Sequence, residues 1–114
     1  MMKVAITDAG IFIDLIILEL IENLFQLDLQ IQTTREVYDQ LNTVQKEKLQ
    51  HFWDSGQLLV YNFDAQEIAG LQLFDFPRGL EPADCTVVYY ATQINSIVLS
   101  GDNKLRKFCE SRGA

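Results

Sequence analysis

The sequence predicts an α/β domain of three layers, with helices on both faces of a mainly parallel sheet of about four strands. Three observations carry this expectation. Short β-prone runs at 3–7, 27–32, 58–61 and 97–99 alternate with segments whose apolar residues recur at helical spacing. Strands separated by helices are joined by right-handed crossovers and therefore run parallel. The 114 residues, 48% of them hydrophobic and 22% charged, suffice for one buried core. No repeat, low-complexity stretch or linker divides the chain, so 1–114 is expected to form one domain.

The first strand, Lys3-Val4-Ala5-Ile6-Thr7, ends at Asp8-Ala9-Gly10. Residues 11–25 carry apolar side chains on one wide face, as a helix packed on a sheet would. Leu27, Leu29 and Ile31 then alternate with polar neighbours and mark a second strand over 27–32. Thr33 and Thr34 offer N-caps, and Thr34 with Val37 and Leu41 starts a short helix. A further helix runs over 44–55, with Leu49, Phe52 and Trp53 inward, and Gly56 stops it. The third strand occupies 58–61. Asp64 begins a helix reaching about Phe74, and Phe76-Pro77-Arg78-Gly79 forms a loop. Glu81-Pro82 opens a helix to about Ile94, with proline in its first turn. Ile97-Val98-Leu99 is an apolar fourth strand, after which Ser100-Gly101 turns the chain at Asp102 into a last helix.

Composition narrows the function. The richest apolar stretch, 11–27, is broken by Asp14, Glu19, Glu22 and Asn23, which excludes a membrane span. The apolar run at 4–6 is too short for a signal peptide, so a cytoplasmic protein without membrane association is expected. The formal charge of −7 argues against a protein that coats nucleic acid non-specifically. It is compatible with a site that gathers carboxylates for a divalent cation. Lys104, Arg106, Lys107 and Arg112 cluster at the end of the chain, either complementing a helix dipole or facing phosphate. Cys85 and Cys109 show neither metal nor disulfide spacing and read as small buried hydrophobes. His51 reads as a packing or surface residue.

The acids carry the chemistry. Asp8 follows the first strand and Asp102 the fourth, and sites in open parallel sheets form beyond the carboxyl ends of strands. Each could serve as a helix N-cap. Together they should project from one edge of the sheet. Asp84 lies in the first turn of the 81–94 helix, with Val87, Val88 and Ala91 at i+3, i+4 and i+7. An acid on that apolar face needs a partner or a metal.

The stretch Ile6-Thr7-Asp8-Ala9-Gly10-Ile11-Phe12-Ile13-Asp14-Leu15 resembles the first strand and turn of PIN domains. Leu80-Glu81-Pro82-Ala83-Asp84, then Ala91, then Ile97-Val98-Leu99-Ser100-Gly101-Asp102-Asn103-Lys104-Leu105-Arg106 resembles their last two motifs. The resemblance covers nearly the whole chain in element order. It implies a Mg²⁺- or Mn²⁺-dependent endonuclease of single-stranded RNA, often the toxin of a toxin–antitoxin pair, with an antitoxin protein as partner. On this resemblance Asp8, Asp84 and Asp102 hold the metal, and Ser100 supports the site by hydrogen bonding. Hard divalent cations favour such carboxylate oxygens.

Two positions depart from the family pattern. In Thr34-Arg35-Glu36-Val37-Tyr38-Asp39-Gln40-Leu41 the family's fourth acid falls at Gln40, with Glu36 one turn earlier on the same face as a substitute. Gly10 stands where the family has a small polar residue. Weakened cleavage is therefore expected, the alternative being a catalytically impaired PIN-like binding or regulatory module. The family continues into a further strand and helix where this sequence reads Ser111-Arg112-Gly113-Ala114. An uncovered edge or apolar surface would follow, and a homodimer or larger assembly is expected. A receiver-like phosphoacceptor domain fits poorly, because strand three leads into Tyr61-Asn62-Phe63-Asp64.

Overall fold

The computed structural model describes residues 3–76 and 79–100. In chain order these form β1 (Lys3–Thr7), α1 (Ala9–Ile17), α2 (Ile21–Gln26), β2 (Leu29–Thr34) and α3 (Arg35–Asp39). There follow α4 (Thr43–Asp54), β3 (Leu58–Tyr61), α5 (Ala65–Leu73), α6 (Pro82–Ile94) and β4 (Ile97–Leu99). The four strands make one sheet in the order β3-β2-β1-β4, and every pairing is parallel.

The chain steps from β1 through β2 to β3 in one direction, then returns across the sheet to β4. Right-handed crossovers place the helices of the first two connections on one face and those of the third on the other. Helix α6 accordingly lies across β1, β2 and β4, while α4 packs on β3. This is the three-layer α/β/α arrangement expected from the alternation of elements. The core between the layers holds Ile6, Phe12, Ile31, Leu49, Leu58 and Val87, all essentially inaccessible.

Local signals set most boundaries. β1, β3 and β4 fall where their apolar runs predict. Thr34 caps α3 by accepting from Val37 N at 3.3 Å. Asp64 and Glu67 form a reciprocal capping box at the start of α5. Gly56 closes α4 with φ of 83°, a conformation that favours glycine.

Two expectations need correction. The single helix over 11–25 is divided into α1 and α2. Glu19 adopts φ of 58°, and Leu20 N turns back to Leu15 O at 2.7 Å. A 15-residue helix would run about 22 Å, whereas the five-residue strand beneath spans roughly 17 Å. Breaking the helix lets Ile21, Leu24 and Phe25 turn back into the core, with Ile17 and Leu18 left exposed at the corner. The second strand also begins two residues later than expected and continues through Thr34. Its polar residues enter the interior because each finds a partner: Gln32 Oε1 accepts from the Tyr90 hydroxyl, and Thr33 Oγ1 donates to Thr7 O at 2.9 Å. Thr33 is thus a sheet residue, not a cap. The expected last helix, with Asp102, Cys109 and the terminal basic cluster, lies outside the described residues. Among the described residues no helix is long and apolar enough to cross a membrane.

Phe12 is the buried residue of α1 and is fully enclosed. Phe12→Ala should destabilise the fold by about 3–5 kcal/mol, through lost burial and the cavity left behind. Urea denaturation measures this, and a loss near zero would mean that α1 does not anchor the layer.

Candidate functional site

The strand order reverses between β1 and β4: the chain leaves β1 toward one edge and arrives at β4 from the other side. At such a reversal the connections diverge, and a crevice opens beyond the carboxyl ends of the two strands. Asp8 stands immediately after β1 and Ser100 immediately after β4.

Asp8 is 4% exposed. It is the N-cap of α1, with its Oδ1 accepting from Ile11 N at 3.0 Å. Its Oδ2 accepts from the Ser100 hydroxyl, and its own N–H donates to Leu99 O at 3.4 Å. Capping and site-building are therefore compatible roles. One oxygen serves the helix, the other faces β4, and the carboxylate is held from both sides.

A cavity of about 360 Å³ opens here, lined by Asp8, Gly10, Asp14, Gln40, Glu81 and Asp84, with Ala9 at its wall. Four of these residues are carboxylates, and none of the described lining residues is basic. Such a concentration of one sign raises the local density of cations. Asp84 reaches the cavity from the first turn of α6, half-buried, above the buried Val87, Val88 and Ala91. Gln40 reaches it as the C-cap of α3. The structure thus brings Asp8, Asp84 and Gln40 to one cavity and sets Ser100 against Asp8.

The remaining candidates are placed differently. Asp102 lies outside the described residues. Glu36 sits in the first turn of α3 and is not among the residues lining the cavity. Its Oε1 is buried and has no hydrogen-bond partner among the described residues. Gly10 needs no special backbone conformation. A Cβ there would meet Asp8 Oδ1 at 3.6 Å and Oδ2 at 3.9 Å, ordinary contact distances, so a small side chain fits beside the carboxylate.

Asp14 and Glu81 were not foreseen as lining residues. The signals were faint: Asp14 lies at i+4 from Gly10, and Glu81 is the N-cap of the helix that carries Asp84. Neighbouring Cys85 is a free, half-buried thiol. Burial, and then the Asp84 carboxylate, raise its pKa above the ordinary value, which favours the thiol over the reactive thiolate.

Among the described residues no three acids, histidines or cysteines are grouped closely enough to hold a metal ion. The donor chemistry nevertheless suits a hard cation. Mg²⁺ commonly takes one or two carboxylates and completes its shell with water, which Asp8 and Asp84 can provide. Glu36, off the cavity wall, is not placed to join them.

Ser100→Ala should cost about 1–2 kcal/mol of stability, because it removes a hydrogen bond to a buried carboxylate oxygen. Chemical denaturation checks this, and an unchanged midpoint would show that Ser100 does not hold Asp8.

Compared with known proteins, the chain matches no protein-family model and no curated protein.

Proposed function

We propose that this chain is a PIN-type endonuclease of single-stranded RNA that uses Mg²⁺ or Mn²⁺, with Asp8, Asp84 and Asp102 as its metal-holding acids. The observation that carries this reading is the acid-lined cavity at the strand-order reversal, where Asp8 is held from both sides. Asp8 and Asp84 approach the cavity from different elements, so a cation between them would be fixed by the tertiary fold and not by one flexible loop. A bound divalent ion supplies two things there: an activated water and neutralisation of charge on the scissile phosphate. Ser100 orients Asp8. Gln40 offers an amide that can hydrogen-bond a phosphate oxygen or a water, but it cannot act as a carboxylate would.

That amide also favours a second reading, a PIN-like binding or regulatory module with impaired catalysis, because Gln40 stands in the cavity where the fourth acid is expected. In either case we place the protein in the cytoplasm, with an antitoxin or a second copy of the chain as partner.

The deciding experiment incubates the protein with end-labelled single-stranded RNA and Mn²⁺. Cleavage should be weak in the wild type, absent in Asp8→Asn, and raised about tenfold or more in Gln40→Glu, since misplaced metal costs orders of magnitude in rate. Mn²⁺-dependent RNA binding without cleavage, even in Gln40→Glu, would select the binding-module reading. Cleavage by Asp8→Asn at the wild-type rate would remove the metal site altogether.

A further inference from the structure

We infer that Thr86 is a positioning residue for this site, holding the first turn of α6, and Asp84 with it, against the start of α3. The inference rests on the metal-site reading above and adds to it a residue that touches neither metal nor substrate.

Thr34 and Thr86 are buried, 0% and 3% exposed. Their hydroxyl oxygens lie 2.7 Å apart, and Thr86 Oγ1 also donates to Ala83 O at 2.5 Å. A hydroxyl has one proton to give. Thr86 gives its proton to Ala83, so Thr34 must donate to Thr86. Thr34 Oγ1 accepts in turn from Val37 N at 3.3 Å. The result is a directed chain from Val37 N–H through Thr34 and Thr86 to the Ala83 carbonyl. It is enclosed throughout, so a member left unmatched would have no solvent to turn to.

The ends of this chain matter. Ala83 immediately precedes Asp84. Thr34 caps α3, whose C-cap is Gln40, and both Asp84 and Gln40 line the cavity. Helix α6 has no side-chain cap of its own at Glu81. Its first turn therefore lacks the usual local fastening, and the hydroxyl chain supplies a directional one from another element. Apolar packing of α6 on the sheet is non-directional and would tolerate small rotations of that turn. The hydroxyl chain does not.

The test uses the full chain and four forms: wild type, Thr86→Val, Thr86→Ser and Asp84→Asn. Mn²⁺ affinity is measured by calorimetry and folding by thermal melting, with kcat and KM on single-stranded RNA alongside. Loss of a residue that orients a ligand typically costs about 10–100-fold in metal affinity. Thr86→Val should fold and bind Mn²⁺ about tenfold more weakly, with kcat lowered more than KM is raised, and Thr86→Ser should restore wild-type affinity. Wild-type affinity in Thr86→Val overturns the inference, as does equal weakening in Thr86→Ser. If Thr86→Val does not fold, Thr86→Ala is measured in its place. If neither folds, the hydroxyl is a folding determinant and the inference is again overturned. A wild type that binds no Mn²⁺, or an Asp84→Asn that binds as well, instead defeats the metal-site reading on which the inference stands.

Discussion

Strand β1 is hydrogen-bonded along both edges, to β2 from Lys3 to Ile6 and to β4 from Ala5 to Thr7. A strand paired on both sides cannot slip without breaking two ladders and moving its buried side chains to the wrong face. Its carboxyl end is therefore firmly fixed, and Asp8 stands there. Every other part of the candidate site is positioned relative to it: Ser100 by the β1–β4 pairing, Gln40 through the β1–β2 pairing, and Asp84 through the helix that crosses the sheet.

The interior around α6 holds several polar groups that are matched in pairs. Gln32 accepts from Tyr90, Thr33 donates to Thr7, Thr34 meets Thr86, and Ser96 Oγ donates to Val4 O at 2.7 Å. Removing one partner from such a pair costs more than the pair is worth, because the other is left buried and unmatched. These contacts add direction to a packing that the hydrophobic effect alone would leave free to slide. Aromatic contacts continue the same layer. Tyr61 stacks on Tyr90 at 4.3 Å and donates to Glu67 at 2.5 Å, tying β3 to α5. That hydrogen bond, then burial, pushes the Tyr61 phenol up to about 12, so it remains a neutral donor across the physiological range. Where α5 meets α6, a Cβ on Gly70 would come within 2.3 Å of the Tyr89 hydroxyl, so a larger residue there would need the Tyr89 side chain to shift.

The cavity gathers charge where the rest of the fold avoids it. Four carboxylates line this one opening, and none of the described lining residues is basic. Acids placed there contribute nothing to the hydrophobic core, whereas a domain that binds cations can use them. The physical logic of the proposed function lies in that contrast.

The sequence by itself determined what is local. A short β-prone run ended by Asp8 marked β1, and the short apolar runs at 58–61 and 97–99 marked β3 and β4, because strand signals and turn signals are both near-neighbour effects. Asp8 and Asp84 could be singled out for the same reason, one by its place after a strand and the other by its helical face. The break at Glu19 was hidden, since the helical period of 11–25 continues through it and only the size of the sheet beneath calls for a turn. The start of β2 was hidden too, since Gln32, Thr33 and Thr34 look like a loop until partners from β1 and α6 bury them. Tertiary structure alone decided that Asp14 and Glu81 share a cavity with Asp8, Asp84 and Gln40. Periodicity reports which side of one element faces inward. Which elements then meet depends on the order and hand of the crossovers, which no local pattern encodes.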